Sequence, residues 1–320
     1  MTAGQPEQPG SGSEGVVDAI LAYLNDQDLL TPQDVRAALQ REVDAAGPAA
    51  VLALKARLAE DNGWGYYAPD PLARRVHHLL ADRFLDPRSA LHQGEYLAAV
   101  GNAPVVLVAN HVSYADANVV ESLLFSAGHE AVASRLTALA GPKVFTSRER
   151  RFSSLCFGTV KVPQSTEVAS GEAMLGGREV ARAARQSIDA ALARLTGGDA
   201  LLLFGEGTRS RTGQMQPMLT GVARYLQVPG TVVLPVGLTG SASLFPVEAA
   251  SPRPARVEMT VGPPLDAGML TTRAGGDRRV VMDAVGLAIA RLLPPESRGA
   301  YGDDEPLAAA RAVLREFGPM

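Results

Sequence analysis

Pro104-Val-Val-Leu-Val-Ala109, stopped by Asn110, is a short apolar run rich in β-branched residues. A run of that length and composition reads as a strand buried on both faces, which is the habit of parallel sheets. Helix-like text follows it from Ala117 to Ala127. Further strand candidates lie at Thr159 to Val162, Ala200 to Phe204, Thr231 to Leu238 and Arg256 to Val261. Several are separated by helical segments. The clearest helix runs from Arg178 to Leu195, with Val180, Ala184, Ile188, Ala191, Leu192 and Leu195 on one face and Gly197-Gly198 as its stop. Alternating strands and helices predict an α/β fold: a mostly parallel sheet flanked by helices.

Before this region the period is helical. Thr31-Pro32 suits an N-cap and first turn, followed by Val35, Leu39 and Val43; Val51, Leu54 and Leu58 mark a further helix, and Val76, Leu79, Leu80 and Phe84 another. An N-terminal helical bundle or subdomain over 14–90 is therefore expected, behind a Gly/Pro/Ser-rich tail with the composition of disorder over 1–13, and ahead of an α/β domain over 91–320. Residues 165–177 read as a loop. Near the end, one helix carries Val281, Val285, Ala288 and Leu292, and another opens at Asp303-Asp304-Glu305-Pro306. Pro235, inside an apparent strand, predicts an edge, a bulge or a special turn.

Composition narrows the function. The chain has 320 residues, 46% hydrophobic and 20% charged, with a formal net charge of −4. That supports a large core and argues against a nucleic-acid coat. One cysteine, Cys156, excludes an internal disulfide framework and a multi-cysteine metal site. No apolar run approaches the ~20 residues that cross a bilayer, and the first 15 residues lack a basic start and an apolar segment. The expectation is a cytoplasmic protein that meets lipid, if at all, peripherally from the inner face of a membrane.

Three segments sit where strands are expected to end, the place where open α/β sheets bind ligands. In the first, Asn110-His111-Val112-Ser113-Tyr114-Ala115-Asp116, a carboxylate five residues from an imidazole can hold one ring nitrogen and leave the other to take a proton. The bland alternative makes Asp116 a helix cap and His111 a packed turn residue. In the second, Phe204-Gly205-Glu206-Gly207-Thr208-Arg209-Ser210-Arg211, a glycine turn with two guanidiniums follows a buried strand directly, a composition suited to an anion. The third, Leu234-Pro235-Val236-Gly237, is mostly core. The basic run Arg148-Glu-Arg-Arg151 reads equally well as a solvated face.

These three motifs, in this order, resemble the glycerolipid acyltransferase family, which includes glycerol-3-phosphate and lysophosphatidate acyltransferases. The resemblance covers roughly residues 100–240; the segment 140–165 is similar to the soluble glycerol-3-phosphate branch. It implies a fatty acyl group moved from acyl-CoA or acyl-carrier protein to an acceptor hydroxyl, in phospholipid biosynthesis. His111 would be the general base and Asp116 its support. Glu206, Gly207, Thr208, Arg209 and Arg211 would form the acceptor site, with Lys143 as a further cation. Asn110 or local backbone amides would stabilise the oxyanion. No metal and no cofactor are implied; the acyl thioester is a co-substrate, and no nucleic acid is a partner. Gly205 stands where the family often has Pro. The basic residue that the family usually carries near 159–164 is missing at Pro163-Gln164, leaving Lys161, Lys143 or Arg178 to substitute. Two alternatives stay open on that account: a non-phosphorylated acceptor, or a non-catalytic lipid- or anion-binding protein. A phosphate-ester hydrolase lacks an evident metal set or reactive thiol.

Overall fold

The computed structural model describes residues 33–59, 63–145, 148–163, 177–244, 253–302 and 307–318. The expected tail over 1–13, the Thr31-Pro32 cap, the 165–177 loop up to residue 176 and the start at Asp303–Pro306 lie outside the described residues, while Gly177 already opens a helix.

Val105–Ala109 is indeed a strand with every residue buried, and it occupies the middle of the sheet as β3. The others are β1 (Gly65–Tyr67), β2 (Ala90–His92), β4 (Leu136–Ala140), β5 (Gly158–Lys161), β6 (Ala200–Phe204), β7 (Val232–Thr239), β8 (Glu258–Val261) and β9 (Leu265–Asp266). Their spatial order is β1-β5-β4-β6-β3-β7-β8-β2, with β9 also on β7. The ladders β5–β4, β4–β6, β6–β3, β3–β7 and β8–β2 are parallel, while β1, β9 and the β7–β8 pair run antiparallel. This is the expected α/β class, a mostly parallel sheet flanked by helices.

Alternation along β3 divides the core into two layers. Val105, Leu107 and Ala109 face a cluster with Leu39 and Leu54 from the first helical run, Val76 and Leu80 from the helix Pro71–Phe84, and Leu123 and Leu124 from the helix Asp116–Ser126. Val106 and Val108 face the opposite cluster, built from the helices Gly177–Thr196 and Arg278–Ala290. The N-terminal helices thus share one continuous apolar cluster with the sheet.

Two sequence expectations are corrected. The N-terminal stretch expected to be helical contains a strand: Gly65–Tyr67 pairs antiparallel with Thr159–Lys161. The first helical run, Gln33–Ala59, breaks at Gly47 (φ 79°) and Pro48, between the two helices that the sequence predicts there. Pro235 is neither at an edge nor at a turn but inside β7, next to Val108 of β3. Val232 donates its N–H toward β3, so Pro235, an odd step away, turns its N-less edge to the other side. There the neighbour changes from β9 to β8, and no ladder donor is required.

Burial in the central strand carries a measurable cost. Leu107→Ala removes a fully buried side chain from β3 and is expected to lower the free energy of urea unfolding by about 2–5 kcal/mol. Leu52→Ala, at a position 62% exposed, should change it by less than about 0.5 kcal/mol.

Candidate active site

β3 and β6 run side by side in parallel, with Ala109 opposite Phe204. The two motifs therefore leave the sheet together, at the carboxyl ends of adjacent strands. His111 stacks on Phe204 with ring centroids 4.2 Å apart and planes 21° from parallel.

After His111 the chain turns into the helix that begins at Asp116. Asp116, fully buried, puts one oxygen, Oδ2, at the centre of the turn. It accepts from His111 Nδ1 at 2.8 Å, from the Val112 N–H at 2.8 Å and from the Ser113 N–H at 2.9 Å. A carboxylate only accepts, so the ring proton sits on Nδ1 and the lone pair on Nε2. Asp116 is not the helix cap, which is Ala115 without a side-chain cap bond; the one bonded oxygen of Asp116 closes the turn ahead of the helix and orients the imidazole.

The second loop is laced to the first. Ser210 N–H donates to the His111 carbonyl at 2.7 Å, and Glu206 Oε1 accepts the His111 N–H at 2.8 Å. Glu206 Oε2 accepts the Gln216 N–H at 2.8 Å. Glu206, expected among the acceptor contacts, is thus a buried carboxylate with both oxygens engaged by backbone donors. Burial pushes its pKa up to about 7, against the two N–H bonds and the nearby His111, while the Asp116 charge raises it further. Gly207 turns the chain at φ 69°, and a Cβ there would meet Leu219 Cδ1 at 2.2 Å. Gly205 has its own reason to replace Pro: Met218 Sδ fills the space, 2.2 Å from where a Cβ would stand.

Arg209 comes to the first loop across Tyr114, its guanidinium carbon 4.0 Å from the ring centroid. Its Nη1 is buried and has no hydrogen-bond partner. A buried guanidinium nitrogen without an acceptor is costly on its own and suits an anion. Arg211 is exposed and Thr208 half-buried. Lys143 is exposed on the 3-10 turn Pro142–Phe145 after β4, with β6 lying between β4 and β3. Lys161 resolves its register by folding inward: it is buried, with Nζ 5.1 Å from the centroids of both Trp64 and Phe145. Arg178 is exposed at the start of the helix Gly177–Thr196. Within the basic run, Arg151 serves the fold by donating to the carbonyls of Phe145 and Leu58.

Asn110 does something that its sequence did not reveal. Its amide donates to the Leu238 carbonyl at 3.0 Å and accepts the Leu238 N–H at 2.7 Å, tying the end of β3 to β7. One of its two amide hydrogens and its oxygen are engaged there. The Val112 and Ser113 amides are likewise committed to Asp116. Cys156 is buried, and burial pushes its thiol well above the usual range, so it supplies no thiolate.

Among the described residues one cluster has metal-ligand spacing: His77, His78 and Glu121. It is already closed by hydrogen bonds. Glu121 Oε2 meets His77 Nε2 and His78 Nε2 at 3.0 Å, Arg74 donates to Oε1 at 2.7 Å, and Ser122 Oγ lies 2.9 Å from His77 Nε2. Against the cost of burial, His77 and His78 lower the Glu121 pKa to about 2. The arrangement joins the helix Pro71–Phe84 to the helix Asp116–Ser126.

Residues 88–239 match the family model described as Acyltransferase. This segment is similar to the acyltransferase family. The match spans both loops of the site and β7, and it bears out the resemblance carried by the three motifs. Among solved structures, the chain is similar to the crystal structure of the 1-acyl-sn-glycerophosphate (LPA) acyltransferase, PlsC, from Thermotoga maritima, at 17% identity and a TM-score of 0.45, over 76% of this chain and 82% of that one. No curated protein sequence matches the chain. No helix among the described residues is long and apolar enough to cross a membrane.

The state of Glu206 is readable in stability. A carboxyl titrating near 7 when folded and near 4.5 when unfolded binds more protons in the folded state between those values. Ionisation then opposes folding, so its contribution falls as pH rises from about 4.5 to 7, by about 3 kcal/mol. Glu206→Gln should lower stability at acid pH through one lost acceptor and flatten this slope. Urea unfolding of both proteins across pH 4.5–7.5 checks it; parallel slopes would remove the assignment.

Proposed function

We propose that the protein transfers a fatty acyl group from a thioester, acyl-CoA or acyl-carrier protein, to a hydroxyl of a phosphorylated glycerolipid acceptor, either glycerol 3-phosphate or lysophosphatidate. The observation that carries this is the His111–Asp116 pair with Nε2 left as the basic atom, beside an Arg209 guanidinium that one loop delivers to the other.

Nε2 of His111 takes the proton of the acceptor hydroxyl as its oxygen attacks the thioester carbonyl. Asp116 stabilises the imidazolium that forms. The C–S bond then breaks, the imidazolium returns the proton to the departing thiolate, and an ester and a free thiol result. Arg209, with Arg211 at the mouth of the turn, holds the acceptor phosphate, which brings the hydroxyl into attack geometry. Lys143 and Thr208 are further acceptor contacts in this reading. Glu206 and Gly207 shape the turn; the carboxylate of Glu206 acts on the His111 backbone rather than on the acceptor. The protein meets its lipid at a membrane surface from the cytoplasmic side.

The test is free-thiol release by the purified full-length chain with an acyl thioester and either acceptor. His111→Ala is expected to lower kcat by about 10²–10⁴; retention of the wild-type rate would refute the mechanism. Arg209→Ala is expected to raise KM for the phosphorylated acceptor by about 10–100-fold, the loss of a hydrogen bond between charged groups, with KM for the thioester unchanged. Equal effects on both substrates would take Arg209 off the phosphate.

A further inference from the structure

The turn that carries Glu206 does not stand alone. Gln216 donates to its carboxylate, Leu219 N–H donates to the Gly205 carbonyl at 2.8 Å, and Met218 and Leu219 cover the two glycines. What holds residues 215–219 in turn is the C-terminal part of the chain. Tyr301 Oη accepts the Met218 N–H at 2.8 Å and donates to Asp283 Oδ1 at 3.0 Å. Arg279 donates to the Met218 carbonyl and pairs with Asp283, Nη2 to Oδ1 at 2.9 Å and Nε to Oδ2 at 3.1 Å. Both polar ends of one residue, Met218, are therefore gripped by side chains that a single carboxylate holds.

The grip is built to close tolerances. Tyr301 is buried, and its ring occupies the space in which a Cβ on Gly286 would fall, 2.4 Å from Cζ. Met215 N–H donates to the Ser297 carbonyl at 2.9 Å, and Ala300 N–H to the Met215 carbonyl at 3.0 Å. Gly299, at φ 47°, lets that carbonyl approach to 2.2 Å from where a Cβ would be.

We propose that Tyr301, Arg279 and Asp283 form a clamp on the Met218 peptide that sets the position of Gln216, hence of Glu206, hence of the His111 backbone. They are positioning residues for the transfer reaction. All three lie beyond the family-matched segment 88–239. The inference rests on the acyl-transfer reading for its kinetic consequence, but the clamp itself is physical. Without the phenol oxygen, a buried Met218 N–H loses its acceptor, and such a group drives local rearrangement. The 215–219 segment then withdraws the Gln216 N–H from Glu206. A carboxyl deprived of a donor titrates higher and, once protonated, holds His111 less well. The titratable groups acting on Glu206 are His111 and Asp116; the 215–219 segment reaches it through the Gln216 N–H. Burial raises the Tyr301 hydroxyl far above neutrality, so the clamp stays protonated throughout.

Tyr301→Phe keeps the ring and removes the oxygen. In the full chain, kcat should fall by about tenfold, with KM for both substrates unchanged, and the acidic limb of the kcat profile should move up by about half a pH unit or more. Asp283→Asn, which still accepts from Tyr301, should retain most of kcat, whereas Asp283→Ala should behave like Tyr301→Phe. A second readout needs no reaction: the side-chain carboxyl of Glu206, followed by carbon NMR in glutamate-labelled protein, should titrate higher in Tyr301→Phe than in wild type. If wild type transfers no acyl group, the functional reading fails while this titration still decides the clamp. A folded Tyr301→Phe protein with an unmoved Glu206 titration, or with unchanged kcat and acidic limb, overturns the proposal.

Discussion

A single oxygen, Asp116 Oδ2, organises the site. It gathers the His111 ring and the two backbone N–H groups that follow it, all within 2.9 Å. Because Asp116 opens a helix, its charge also faces the positive end of the helix dipole. These contacts turn a buried carboxylate from a liability into the element that gives the loop its shape and the imidazole its tautomer. Nothing of the kind holds at its other oxygen, Oδ1, which is buried without a partner; the loop is determined from one side of the carboxylate.

His111 is steered by two acids that work differently. Asp116 holds its side chain. Glu206 holds its main chain, and does so with a carboxyl that burial has pushed to about 7. The first is surrounded by three donors on one oxygen, the second has one donor on each. The difference leaves Glu206 sensitive to whatever positions Gln216, and that is how the far end of the chain reaches the imidazole without touching it. Arg209 packs its guanidinium on Tyr114 and leaves the buried Nη1 without a hydrogen-bond partner.

Several elements were legible because local chemistry was unambiguous. Ala200–Phe204 and Val105–Ala109 are uniformly apolar and short, so neither a surface strand nor a helix fits them. The helix Gly177–Thr196 carries a regular apolar face and a glycine stop. Leu136–Ala140, by contrast, is made of Leu, Ala and Thr, residues that favour helix or are neutral, and becomes strand β4 only through pairing on both sides with β5 and β6. Gly65–Tyr67 is too short to show a period and is a strand because β5 offers it an edge. The tie from Asn110 was not legible because its partner, Leu238, is 128 residues away.

From its amino acids alone, this chain settled its class, its central strands and the residue types that its two site loops carry. Those depend on composition and spacing within a few turns of backbone. Only the folded chain decided that β6 lies beside β3, that Glu206 holds a backbone N–H 95 residues away, that Lys161 folds inward between aromatic rings, and that Tyr301 and Asp283 grip Met218. Each of those outcomes is a contact between segments far apart in the chain. Burial and hydrogen-bond satisfaction select such contacts globally, and they leave no local period to be read.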